Sequence, residues 1–186
     1  TFCVSEDITS PVSDGFAEFT IDIKQGTFVT NEFVVDTSQP NQKFIIPNPY
    51  VDTSTLKVQV RDTLTSSSRK TYSQIDNIVG ISTHSETFLI QEIQDEKYEL
   101  LFGDGVLGKR LSNGNVINST YIVTDGVGGN GVSNFSFSGK LVDNDGGLIT
   151  SGISGVITNE RSSNGAEVES IDTIRNLSTR VYSAQH

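Results

Sequence analysis

YELLFGDGVLGKRLSNGNVINSTY, running from Tyr98 to Tyr121, holds two strand patterns joined through glycine turns. Tyr98, Leu100 and Phe102 alternate with Glu99 and Leu101, the period of a strand in a sheet. Gly103-Asp104-Gly105 stops that pattern, because glycine accepts positive φ and Asp is a turn former. Val106 to Leu111 makes a short crossing. Ser112-Asn113-Gly114-Asn115 contains Asn-Gly, the strongest short hairpin signal. Val116 to Val123 is strand-like again.

Upstream, Phe16 to Ile23, Thr27 to Val35, Lys43 to Ile46 and Leu56 to Val60 read as strands from their alternation and β-branched content. Pro40, Pro47 and Pro49 break any ladder and put that region at a sheet edge or corner. Asp62 to Thr71 is a polar loop with an exposed tip at Ser66 to Arg69. In Tyr72 to Ile81, Ile75, Ile78 and Val79 fit one helical turn, while β-branching and Gly80 oppose a long helix. Phe88 to Ile93 is a strand, turned back through Gln94 to Lys97 into the Tyr98 strand.

Downstream, Phe135 and Phe137 alternate with polar residues, and Asp143 to Gly147 forms a turn between Leu141-Val142 and Leu148-Ile149. Gly152 to Thr158 reads as a last strand. The period then changes. Val168, Ile171, Ile174 or Arg175, and Leu177 or Ser178 fall at helical spacing. Glu167 and Glu169 lie in the first turn and Arg175 and Arg180 later, which predicts a helix over Ala166 to Thr179. The expected fold is mainly β, a β-sandwich-like domain of short antiparallel strands with a C-terminal helix. Residues 1–15 are expected to be irregular, 16–160 β and 161–186 helical.

The 17 glycines fit this turn-rich reading, and 34% hydrophobic residues allow a modest core. The net charge of −10 disfavours nucleic-acid binding, which needs clustered Lys and Arg. The basic pairs Arg69-Lys70 and Lys109-Arg110 read as solvated surface. Cys3 is the single cysteine, so no disulfide forms within the chain. No apolar run reaches membrane-spanning length, and no signal peptide is seen. The absent Met and the irregular opening at Thr1 lead us to expect a segment of a longer chain.

Chemistry-bearing motifs are few. Gly126 to Gly131 matches G-x-G-x-x-G, but a strand pattern follows where a dinucleotide site needs a helix N-terminus. Asp143-Asn144-Asp145-Gly146 has the flavour of a calcium loop, but Ser154 stands where an EF-hand has Glu. A non-EF calcium site with Asp104 or Asp125 as extra ligands stays open. His84 and His186 lack partners at zinc-site spacing. Gly152-Ile153-Ser154-Gly155 is not a nucleophile elbow, and Cys3 reads as incidental. The carboxylate pairs Asp95-Glu96 and Glu167/Glu169 read as a hairpin tip and a helix start. The sequons at Asn118, Asn134 and Asn176 are expected by chance. No catalytic residue, metal or cofactor is expected.

Phe102-Gly103-Asp104-Gly105, Gly108-Lys109, Asn113-Gly114-Asn115-Val116-Ile117 and Tyr121 together resemble a signature of phage baseplate wedge proteins. These are the baseplate J-like family of contractile-tailed phages and related injection systems, and the resemblance is strongest to the T-even type. VDTSQPNQKFIIPN (Val35 to Asn48), VDTSTL (Val51 to Leu56) and FLIQEIQDEKYELLFGDG (Phe88 to Gly105) resemble the family in matching order. So do Gly165-Ala166, Glu169-Ser170-Ile171, Ile174-Arg175, Arg180, Tyr182 and Ala184-Gln185; Thr179 stands where the family usually has proline. The resemblance covers residues 26–186 with interruptions.

It implies a structural, non-enzymatic protein of the virion tail baseplate, made in the host cytoplasm. Such a protein assembles with other copies of itself and with wedge and hub proteins into a ring around the central hub. It takes part in the rearrangement that triggers sheath contraction. Phe102 to Gly108 and Asn113 to Asn115 would be an architectural motif, and Arg175, Arg180 and Tyr182 an interface. The residues leave a second reading, a calcium-stabilised β-sandwich adhesin or receptor-binding module, and a third, a glycan-cleaving tail enzyme.

Overall fold

The computed structural model describes residues 1–4, 7–77, 79–152 and 155–166. The chain divides into two compact units, Thr1–Thr124 and Asp125–His186. The boundary falls inside the stretch 16–160 that carries no linker signal.

The first unit holds β1 (Phe2–Cys3), β2 (Lys24–Gln25), β3 (Thr27–Val34), β4 (Phe44–Ile46), β5 (Val51–Arg61), β6 (Lys70–Gln74), β7 (Thr87–Ile93), β8 (Lys97–Phe102) and β9 (Val116–Val123). Seven of them form one sheet in the order β3-β9-β5-β6-β7-β8-β4. All neighbours are antiparallel except β6 and β7, which run parallel. The short β6 pairs with β5 through Lys70 to Tyr72 and with β7 through Ser73 and Gln74. The sandwich-like expectation needs two packed sheets. Here β6 joins both halves into one sheet, and both halves feed one core of Val58, Val60, Ile117 and Tyr121 with Ile46, Phe88 and Leu100.

The end strands of this sheet come back toward each other. Phe33 on β3 and Phe44 on β4 meet edge to face, with ring centroids 5.9 Å apart. The sheet is thus rolled nearly closed, which shields its edges. β9 is buried on both faces. Inward lie Ile117 and Tyr121; outward, the Ile122 backbone N–H donates to Thr55 Oγ1 (2.9 Å), and Asn118 is held between Arg61 and Glu32. Gly26 passes over the same end, where a Cβ would sit 2.3 Å from Ile122 Cγ2. A side chain there is excluded by contact as well as by φ of 138°.

β5 starts earlier than its alternation predicts because a bulge interrupts its pairing between Asp52 and Lys57. Asp52 Oδ1 accepts from the Ser54 N–H (3.0 Å) and hydroxyl (2.6 Å), and Thr55 donates to the Asp52 carbonyl (2.7 Å). The β7–β8 hairpin forms as expected, with Asp95 and Glu96 at φ of 63° and 56° in its turn.

Two further expectations in this unit are corrected. Phe16 to Ile23 is no strand: only Ser13 and Phe16 bridge, and Phe16 is 78% exposed. Its alternation finds no partner strand. The helical turn suggested in Tyr72 to Ile81 is absent from the described residues there; β6 occupies its start, and Tyr72 is 4% exposed in the core.

The second unit holds a 3-10 turn at Gly126–Gly129 and the hairpin β10 (Leu141–Val142) and β11 (Leu148–Ile149). Residues 132–138 are not a strand, against the alternation of Phe135 and Phe137, and no strand covers 155–158. Ser162 ties residues 129–132 together: it accepts from the Gly131 N–H (2.8 Å) and donates to the Val132 carbonyl (2.9 Å) and, through its hydroxyl, to the Gly129 carbonyl (2.6 Å). The C-terminal helix, with Arg175, Arg180 and Tyr182, lies outside the described residues.

Candidate functional site

Phe102 closes β8 and is the hub of an aromatic cluster. Its ring lies 5.7 Å from Phe44, 5.7 Å from Tyr72 and 6.3 Å from Phe88. The chain then leaves the sheet through the glycine loop. Gly103 keeps a negative φ, so positive φ is not its reason for being glycine. Its reason is a backbone crossing: a Cβ would stand 2.2 Å from the Gly108 carbonyl carbon. Gly105 and Gly108 do use positive φ, at 92° and 82°. The Gly105 N–H donates to the Gly108 carbonyl (3.1 Å) and closes the loop.

Asp104 organises the turn between them. Its Oδ1 accepts from the backbone N–H groups of Val106 (2.8 Å) and Leu107 (2.9 Å). Those hydrogen bonds, first Leu107 and then Val106, hold its carboxyl below the ordinary Asp range. The loop is pinned to the segment before β7. Gly108 N–H donates to the Ser82 carbonyl (3.2 Å), Lys109 N–H to the Ser85 carbonyl (2.9 Å), and Lys109 Nζ pairs with Glu86 Oε1 at 2.7 Å. That hydrogen bond to Glu86 raises the Lys109 pKa. A shallow cleft of ≈ 240 Å³ opens beside the loop, lined by Ile75, Ile81, Leu89, Leu101, Phe102 and Leu107 among others.

Asn113-Gly114 forms a turn, but it joins no hairpin pair. It docks instead at the end of β3. The Gly114 N–H donates to the Val35 carbonyl, and the Val35 N–H to the Asn115 carbonyl, both at 2.8 Å. Asn113 Oδ1 accepts from the Thr37 N–H (3.0 Å), and Asn115 Oδ1 from the Ser112 N–H (2.8 Å). Nearby, Gln42 folds back so that its amide donates to the Val34 carbonyl and accepts from the Asp36 N–H, both at 2.8 Å. Asp36 accepts from the Ser38 hydroxyl (2.6 Å) and N–H (3.0 Å), which lower its pKa.

Tyr121 ends the motif inside the core. Its hydroxyl donates to Asn48 Oδ1 (2.6 Å) and accepts from Asn31 Nδ2, and burial raises its pKa. The pairing of Val35, Thr37 and Asn48 with Asn113 to Asn115 and Tyr121 had no sequence signal, since most of it runs through backbone groups and side-chain amides common in any turn.

The other candidates are spread apart. Asp143 Oδ1 accepts from the Asp145 N–H (3.0 Å) and the Gly147 N–H (2.7 Å), so this carboxylate organises a turn. Among the described residues, no group of three His, Cys, Asp or Glu could hold a metal ion. Gly126 to Gly131 leads into no helix, and its Asn130 and Gly131 bond to Gly165 and Ser162. His84 is an exposed loop residue with Nδ1 2.9 Å from Thr83 Oγ1; His186 lies outside the described residues. Cys3 Sγ faces the carbonyls of Lys24 and Gly26, and burial raises its pKa, which disfavours the nucleophilic thiolate. Among the described residues, no helix is long and apolar enough to cross a membrane.

The shifted carboxylates set an acid response. Asp36 and Asp104 have folded pKa values below their unfolded ones. Their contribution is present above the unfolded value and is lost as pH falls through the folded value. Melting scans across pH should therefore show stability falling below the ordinary carboxylate range. An Asp36→Asn/Asp104→Asn double variant should fall less steeply there, and an equal fall in both proteins would contradict the assignment.

Compared with known proteins, the chain matches no family model and no curated sequence.

Proposed function

We propose that the chain is a structural component of a contractile-phage tail baseplate wedge, acting through protein–protein contacts. The observation that carries this reading is where the residues of the resemblance fall. Val35 to Asn48 and Phe102 to Tyr121, remote in sequence, are tied by Gly114 and Asn115 to Val35, Asn113 to Thr37, and Tyr121 to Asn48. Asp104, Gly105, Gly108, Asn113, Gly114 and Asn115 each make hydrogen bonds that organise backbone, which suits an architectural signature. The same loops present Val106 (71% exposed) and Leu107 (47% exposed), apolar side chains that a neighbouring subunit can cover. The partners are other copies and other wedge and hub proteins, and the place is the virion baseplate. The work of rearrangement comes from interface burial rather than bond chemistry.

Sizing by light scattering, with thermal melts in calcium and in chelator, tests this. Self-association and a calcium-independent melt are expected. A strict monomer whose melt rises with calcium would overturn the proposal in favour of the adhesin reading.

A further inference from the structure

The chain contains three Asn-Gly pairs, Asn113-Gly114, Asn130-Gly131 and Asn164-Gly165. In such a pair the glycine nitrogen meets no Cβ on its own residue when it approaches the Asn side-chain carbonyl. The fold treats the three differently. Asn113 is held by the Thr37 N–H on Oδ1, and Gly114 N–H is committed to the Val35 carbonyl. Asn130 is held at both ends of its amide: Nδ2 donates to the Gly165 carbonyl and Oδ1 accepts from the Gly165 N–H, each at 2.8 Å. The Gly131 N–H is committed to the Ser162 carbonyl. Asn164 is exposed, sits at φ of 68°, and its carboxamide has no hydrogen-bond partner among the described residues. Gly165 N–H is held only by a side-chain amide rather than by a backbone carbonyl.

We propose that Asn164 is a modification site, where the protein deamidates spontaneously with water as the only co-reactant. The Gly165 nitrogen attacks Asn164 Cγ. The N–Cγ bond forms, the Cγ–Nδ2 bond breaks, and ammonia leaves with the proton lost from the glycine nitrogen. Water then opens the cyclic imide to aspartate or isoaspartate. The isoaspartate product lengthens the main chain at a tight crossing, because a Cβ on Gly165 would already lie 2.3 Å from the Gly126 carbonyl oxygen. The modification thus adds a negative charge and disturbs the packing of 126–131 against 162–166.

The test is a peptide map by mass spectrometry of the folded protein, aged at mildly alkaline pH, with the three sites scored separately. Asn164 should convert about tenfold faster than Asn113 or Asn130, whose held amides react only on local opening. In urea the three rates should converge. Asn164→Gly, which accepts the positive φ, should abolish the early conversion. Equal rates in the folded protein, or faster conversion at Asn113 or Asn130, would overturn the proposal.

Discussion

Gly103→Val should leave the first unit without a cooperative melt, and Gly103→Ala should already do so. A Cβ at this position would lie 2.2, 2.5 and 2.6 Å from the carbonyl carbon, carbonyl oxygen and Cα of Gly108. All three are backbone atoms, so no side-chain rotation relieves the clash. Gly108 cannot retreat cheaply, because its N–H is bonded to Ser82 and its carbonyl to Gly105. The loss should exceed the usual overpacking cost of about 1–3 kcal/mol and reach about 4–5 kcal/mol or more, because the clashing atoms are backbone. That is a large share of the stability of an ordinary domain, about 5–15 kcal/mol. Gly114→Ala is the control: a Cβ there meets nothing within 4 Å, and only its φ of 81° opposes the change. It should cost about 1–2 kcal/mol. Circular dichroism melts measure both, and a Gly103→Ala protein that melts like the parent would refute the crossing.

Tyr121→Ala should be the most destabilising large-to-small change in the sheet. The side chain is fully buried on β9, between β3 and β5, and belongs to the core cluster. Removing an aromatic from such a place costs about 3–5 kcal/mol through lost burial and the cavity left behind. Tyr121→Phe keeps the ring and removes only the hydroxyl between Asn31 and Asn48. Both amides are half-buried and reach some solvent, so their loss of a partner should cost about 1–2 kcal/mol. Urea titrations would separate the two variants by midpoint. If the phenylalanine variant lost as much as the alanine variant, the hydroxyl rather than the ring would be the main contributor, contrary to this ranking.

Strands with both an amphipathic pattern and a nearby turn were legible. β3, β7, β8 and β9 lie where strands are expected, and the Asp143 turn joins β10 to β11 as its residues suggest. Alternation at Phe16 to Ile23 and at Phe135 to Phe137 misled, because it reports an amphipathic chain and says nothing of a partner edge. The parallel pairing of β6 with β7 rests on only two residue pairs, too little to leave a pattern. In the candidate site, Asp104 and Gly105 could be read directly, since an Asx turn and positive φ are local properties. Gly103 could be read as special but for the wrong reason. Its constraint comes from Gly108 crossing above it, a contact between chain segments that composition and period do not encode.

The central claim is that these tied loops belong to an assembly part of a contractile tail. Immunogold electron microscopy tests it most directly, with an antibody to residues 1–124 applied to tailed particles from the genome that encodes the chain. The account predicts label at the baseplate end of the tail. Particles that carry no label there, with the antigen found free or on another part of the particle, would contradict it.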